Sequence, residues 1–349
     1  MATKTKLRNV NGGSKPITLA LQGGGAHGAF AWGVLDRLLE DGRLDVEGVS
    51  ATSAGAMNGA VLAQGLMNGG ADGARQALHD FWKDIAKASE FLNPLRNTPW
   101  EKMLNGFTQE NSPMYFMADM MLRIFSPYQF NPLNLNPLRD VLEAHVDFAA
   151  LREHCPIRLY LCATNVETSK VRIFNEKDIR VEAVLASACL PFLFQAVEID
   201  GEHYWDGGYV GNPAIYPLIY NCNTSDVLIV HINPIVRKGV PRTATDILNR
   251  INEVSFNSSL MREMRAIAFV TSLIQRGKIE PGEMKEMLIH SIRCDETMTE
   301  LGVSSKLNAD WDFLCFLRER GRAEADKWLH EAYDDVGKRS SVDIRKEFL

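Results

Sequence analysis

Ile17-Thr18-Leu19-Ala20-Leu21-Gln22-Gly23-Gly24-Gly25-Ala26-His27-Gly28 is the stretch that decides the fold. Its first five residues are a short apolar run with a β-branched start, which reads as a buried strand. Glycines follow at once. From Ala29 to Glu40 the apolar residues Ala31, Leu35, Leu38 and Leu39 recur at helical spacing, and Gly42 supplies a stop signal. Val46 to Ser50 then repeats the strand pattern, and the small-residue stretch Ala54 to Leu66 repeats the helix. Strand, helix, strand, helix with tight turns predicts a parallel sheet covered on both faces.

The same pattern resumes further along. Ile157 to Ala163, Val171 to Phe174 and Val227 to Ile232 read as strands, and Ala196 to Trp205 reads as a hairpin turning at Asp200-Gly201. Beyond Ala244 the chain turns helical, with Ile247, Ile251, Val254, Met261 and Ala268 on one face, and Trp311 to Tyr333 forms a second helical stretch. Between these parts, residues 91–137 hold six of the 14 prolines, interleaved with aromatics and with Met114, Met117, Met120 and Met121. Prolines at that density predict an irregular insertion with one short helix, its methionines serving as core filler or, in the lesser reading, as a mobile apolar cap over a lipid site.

Composition narrows the function classes. The 349 residues are 46% hydrophobic and 23% charged, and 38 basic against 44 acidic residues leave a net charge of −6. Without a long basic run, a nucleic-acid partner is not expected. No run of eighteen apolar residues occurs, so no membrane-spanning helix is expected. Lys4, Lys6, Arg8 and Lys15 make the first residues a flexible basic tail, and with no apolar run before Pro16 it does not read as a signal peptide. The six scattered cysteines form no CxxC pair, which predicts buried free thiols and a cytoplasmic setting, while the basic tail reads first as solvated and, as the sharper alternative, as the source of transient contact with an anionic membrane surface. Neither a metal nor a cofactor is expected, since no HExxH or calcium-loop spacing occurs.

Three local features carry chemistry. Gly23-Gly24-Gly25-Ala26-His27-Gly28 leaves a strand and opens a helix, so backbone N–H groups and the helix N-terminus favour an anion there. The same residues fit the dinucleotide fingerprint, but that reading needs an acid at the far end of the second strand, where Thr52 and Ser53 stand instead. Ala51-Thr52-Ser53-Ala54-Gly55-Ala56 is a G-x-S-x-G nucleophile elbow with Ala51 in place of the first glycine. Taken alone, Ser53 reads first as an ordinary helix N-cap. Trp205-Asp206-Gly207-Gly208 follows the hairpin; it is either a plain turn or a carboxylate base made effective by desolvation.

Together these features resemble the patatin-like phospholipase family over about Pro16 to Pro234, and Ser187-Ala188-Cys189-Leu190-Pro191-Phe192 is similar to a further recurrent segment of that family. The resemblance implies a three-layer α/β/α sandwich with a mostly parallel central sheet. It also implies a Ser–Asp dyad that hydrolyses acyl esters of lipids (phospholipase A, lysophospholipase or esterase activity). Carried over by position, Ser53 is the nucleophile and Asp206 the base. The N–H groups of Gly24 and Gly25, with Gly23 or Ala26, form the oxyanion hole, and Gly28, Gly55, Gly207 and Gly208 support these turns. His27 stands where the family often has arginine and reads as a surface histidine. On this basis the chain divides into a tail over 1–15, a catalytic domain over 16–235 with its insertion at about 91–137, and a helical C-terminal region over 244–349 packed on the same domain.

Two other readings fit parts of the sequence. The order Ser53, Asp206, His231 matches a Ser–His–Asp triad on an α/β-hydrolase scaffold, although His231 lies in an apolar run. A non-catalytic lipid- or acyl-binding protein accommodates the altered residue Ala51.

Overall fold

The computed structural model describes residues 13–92, 121, 124–280 and 282–349. Its strands are β1 (Lys15–Leu21), β2 (Leu44–Ala51), β3 (Arg158–Asn165), β4 (Val171–Asn175), β5 (Val197–Ile199), β6 (Glu202–Asp206), β7 (Asp226–Val230) and β8 (Leu288–Ile292). They form one sheet in the order β5-β6-β3-β2-β1-β7-β8, with β4 also paired to β3. Strands β3, β2, β1, β7 and β8 run parallel, while β4, β6 and β5 add antiparallel pairings at the β3 side.

Between β1 and β2 lies α1 (Gly28–Asp41), close to its predicted span. Helix α2 (Ala54–Leu92) runs far beyond the expected Leu66 but breaks at Gly69-Gly70, where Gly70 adopts a φ of 61°. Short helices α3 (Pro127–Phe130), α4 (Leu138–His145) and α5 (Phe148–His154) precede β3, and α6 (Val181–Ser187) precedes β5. Then come α7 (Tyr216–Asn221) before β7, α8 (Ala244–Gln275) before β8, and α9 (Asp295–Glu300), α10 (Trp311–Glu331) and α11 (Ile344–Phe348) after it. Among the described residues no helix is long and apolar enough to cross a membrane.

Alternation of side chains along the strands builds two cores. Leu19 and Leu21 of β1 with Leu228 and Val230 of β7 face a cluster filled by α1, α2 and α10, including Phe30, Leu78 and Phe313. Ala20, Val227 and Ile229 face the opposite cluster, filled by Leu218 of α7, Leu260 and Met264 of α8 and Phe348 of α11. This is the expected α/β/α sandwich.

Four expectations need correction. Lys15, assigned to the tail, begins β1, and its ammonium donates to the Tyr333 carbonyl at 2.8 Å; the other basic tail residues lie outside the described residues. The C-terminal region is not purely helical, because β8 pairs with β7 and covers an edge that would otherwise be open. Most of the insertion (93–120, 122–123) lies outside the described residues, but Met121, read as core filler, is exposed. All six cysteines are free, yet only Cys162, Cys189 and Cys222 are buried.

Candidate active site

Each predicted chemical group leaves the sheet near the carboxyl ends of the parallel strands, where open α/β sheets carry their ligands. Ser53 follows β2 directly and has a φ of 55°, a left-handed conformation that is uncommon outside glycine. The turn is fixed around it. Gly55 N–H donates to the Thr52 carbonyl at 2.8 Å, and the Thr52 hydroxyl donates to the Gly211 carbonyl at 2.7 Å. Ser53 N–H donates to Ser187 Oγ at 2.9 Å, and the Ser187 hydroxyl is anchored on the Cys162 carbonyl. Ala51 is fully buried and does not prevent this geometry.

Asp206 ends β6, opposite Ala163 of β3. The chain can turn back against β3 because residue 207 is glycine; a side chain there would strike the Cys162 carbonyl. Asp206 is buried, and its Oδ1 accepts the Gly208 N–H at 2.7 Å. The Oδ2 atom is buried without a directed hydrogen bond. Desolvation pushes the carboxyl up to about 7, opposed by the Gly208 amide, by the neighbouring Ser53 hydroxyl and by the charge of Lys306. The fold thus brings residues 53 and 206 together as a serine hydroxyl beside a poorly solvated carboxylate.

The glycine loop closes the third side. A Cβ on Gly23 would come within 2.5 Å of Ser53 Cβ, so this backbone passes directly against the serine. The Gly23 N–H donates to Asn212 Oδ1 at 2.7 Å and is therefore spent. That leaves the amides of Gly24, Gly25 and Ala26 to meet a ligand. Gly25 has a φ of 59° and sits under the Lys306 carbonyl, where a side chain would collide.

His27 is not a surface residue. It is 2% exposed, its ring packs edge-on against Phe313, and Nε2 pairs with Ser305 Oγ at 2.7 Å. Since the Ser305 hydroxyl donates to the Gly302 carbonyl, it accepts from His27, and burial drives the imidazole down to about 3. It is a neutral packing group. His231 is likewise buried and pushed to about 3, stacks on Phe348, and neither ring nitrogen has a hydrogen-bond partner among the described residues.

Residues outside every motif complete the site. Gln22 Oε1 accepts the N–H groups of Ile232 and Asn233, and Asn233 Nδ2 donates to the Gly23 carbonyl at 2.8 Å. Lys306, from the 3-10 turn Val303–Leu307, donates to Asn233 Oδ1 at 2.8 Å and is depressed to about 8 by desolvation. No spacing in the sequence marks Asn212, Asn233 or Lys306, because their contacts span tens to hundreds of positions. Ser187 alone had a signal, in the segment that precedes the hairpin.

The curated proteins gave no match. Among solved structures, VipD from Legionella pneumophila aligns at 16% identity with a TM-score of 0.37, over 86% of this chain and 67% of that one. Full-length ExoU of Pseudomonas aeruginosa, in complex with SpcU, aligns at 16% identity and a TM-score of 0.34, over 90% of this chain and 53% of that one. The chain therefore spans about half to two thirds of the length of these structures. A family model described as patatin-like phospholipase matches residues 19–219, more than half of the chain and all of β1 through the Asp-Gly-Gly turn apart from the first four residues of β1. The chain belongs to the patatin-like phospholipase family.

Proposed function

We propose that the protein is a serine acyl hydrolase that cleaves carboxylic esters of lipids, with Ser53 as nucleophile and Asp206 as base. The observation that carries this reading is the left-handed Ser53 held against both a buried, largely desolvated carboxylate and a glycine loop with amides to spare. A hydroxyl is a weak nucleophile until a base takes its proton. Asp206, with its proton affinity raised toward neutrality, accepts that proton as Ser53 Oγ bonds to the ester carbon. The carbonyl oxygen becomes an oxyanion and meets the Gly24 and Gly25 amides, with Ala26 as the third donor. Collapse breaks the ester bond, and the leaving alkoxide takes the proton from Asp206. Water then attacks the acyl-enzyme by the same route, returning Ser53 and the free acid. Loss of one such amide donor costs about 10²–10³ in turnover.

The test is labelling by a fluorophosphonate, which reacts only with an activated serine, beside hydrolysis of nitrophenyl esters of graded chain length and a phospholipid panel. Ser53→Ala and Asp206→Ala are expected to stay folded and lose ester hydrolysis. Retained turnover in either variant would exclude the dyad. His231→Gln separates this reading from a histidine triad: near-normal turnover is expected, because the unpartnered imidazole stacks on Phe348. A purely lipid-binding protein would fail to label.

A further inference from the structure

Helix α8 carries two apolar stripes, and the one marked by Ile247, Ile251 and Val254 faces outward. Its buried residues are Phe256, Leu260, Met264 and Ile267, whereas Ile247, Ile251 and Val254 are exposed, as is Phe269 further along. Ile247, Ile251 and Val254 are four and three positions apart, and Phe269 follows about four full turns later, so they share one face. The loop leading into the helix adds Val236 and Val240, at 66% and 82% exposure. An apolar face of this size, left open to water on a helix with a well-buried opposite side, marks an interaction surface.

Charge identifies the partner. The same face carries Arg250, Arg262 and Arg265, and the loop carries Lys238 and Arg242. Two of the three acids of α8 point elsewhere, and the third, Asp246, stands at its first turn beside Lys238 and Val240. Glu253 is buried between Arg237 and Arg250, Glu263 accepts the Ile215 and Tyr216 amides on the inner side, and Asp246 caps the first turn with Thr243. Among the described residues Lys238, Arg242, Arg262 and Arg265 have no carboxylate partner. A hollow of about 400 Å³ in this face is lined by Ile235, Val254, Met261, Arg250, Arg262 and Arg265, an arginine fork beside alkyl groups. The chain as a whole is acidic, at −6, so this cationic apolar strip runs against the average.

We propose that the outward face of α8, with residues 236–242, docks on a bilayer surface that displays anionic phospholipid. Apolar side chains flanked by unpaired arginines suit the headgroup boundary, where the side chains enter the acyl region and guanidinium groups hold phosphates. A second copy is the poorer occupant, because a two-fold contact would set the same cations against themselves. Docking here brings lipid close to the site: on the inner side of α8, Phe256 packs edge-on against Tyr209, and Ser259 Oγ accepts the Asn212 N–H at 3.1 Å. The proposal draws its purpose from the acyl-hydrolase reading, but its measurement does not depend on turnover.

The test is co-sedimentation of the full chain, in the Ser53→Ala background so that vesicles stay intact, with phosphatidylcholine vesicles and with phosphatidylcholine–phosphatidylserine vesicles. Mixed vesicles are expected to bind at least ~10-fold more protein, with binding weakened by salt. Each basic residue contributes about fivefold at such a surface, so Arg262→Glu with Arg265→Glu is expected to lower binding by more than ~10-fold. Ile251→Asp with Val254→Asp is expected to lower it on both vesicle types, with circular dichroism unchanged for both pairs. Equal binding to both vesicle types, no binding at all, or binding untouched by both variant pairs would overturn the proposal. So would sedimentation as a dimer that the same substitutions dissolve. In the Ser53 protein, soluble nitrophenyl esters report on the hydrolase reading separately, so failure of docking and failure of that reading are distinguishable.

Discussion

Asp206 holds the most consequential proton in the molecule. Its carboxyl moves from an ordinary 3.8 to about 7 because burial penalises the charged form more than the Gly208 amide, Ser53 and Lys306 favour it. In the proposed mechanism the ionised form is the base, so ester hydrolysis is expected to rise with pH through about 7, measured as kcat/KM on a soluble ester. Stability runs the other way. Between about 4 and 7 the folded chain keeps a proton that the unfolded chain has released, so stability falls across that window, by about 1.4 kcal/mol for each unit of displacement. Asp206→Asn removes that slope: Tm is expected to rise above pH 7 and to match the parent near pH 4, while activity is lost. Lys306 belongs to the same electrostatic group. Its ammonium, depressed to about 8, donates to Asn233, which in turn holds the Gly23 carbonyl. Lys306→Met is expected to lower kcat by about 10-fold or more, with KM little changed, through lost electrostatic and positional support of the loop. It is also expected to raise the apparent pH midpoint of kcat/KM, whereas Lys306→Arg, which keeps the positive charge beside Asp206, is expected to leave the midpoint near the parent value, a split that a merely structural lysine would not produce.

At the scale of elements, the loop is positioned by the helix it opens. Helices α1 and α10 touch backbone to backbone: a Cβ on Gly33 would strike the Arg318 carbonyl, and one on Gly321 would strike the Phe30 carbonyl. Arg75 of α2 and Arg318 and Arg322 of α10 all converge on the buried Asp36 of α1. Gly321→Ala has nowhere to put its methyl group, because both neighbours are main chain. The expected cost is about 2 kcal/mol in urea unfolding, with little effect on catalysis at temperatures where the protein stays folded. The corresponding change at Gly25 would act differently. Its left-handed φ and the overlying Lys306 carbonyl make Gly25→Ala distort the amides themselves, so turnover is expected to fall before stability does.

For the whole molecule, the family match ends at residue 219, but the fold does not. Strand β8 covers the edge of β7, Leu260, Met264 and Ile289 complete one core, and Phe313, Leu317 and Trp328 complete the other. A chain stopped after residue 235 is therefore expected to be insoluble or molten, judged by near-ultraviolet circular dichroism and by yield. The C-terminal region also supplies Lys306, which bonds Asn233 beside the glycine loop, so it is built into the same unit as the candidate site and is not a separate appendage.

Much of this was legible in the sequence because the signals are local. A strand that ends in glycines and opens a helix, a serine between a strand and small residues, and a hairpin ending in Asp-Gly-Gly each announce themselves within about ten positions. They fixed β1 to α2, the hairpin of β5 and β6, and the identities of Ser53 and Asp206 as candidates. Tertiary structure decided the rest. His27, placed at the surface by its loop position, became a buried neutral ring once Phe313 and Ser305 closed over it. The apolar spacing along α8 correctly gave a helix and gave no means of telling which face meets the sheet, since Phe256, Leu260 and Met264 form a second apolar stripe of equal quality. Desolvation, which sets the proton affinity of Asp206 and Lys306, is a property of everything packed around a group, and the chain assembles that surrounding from segments more than a hundred positions apart.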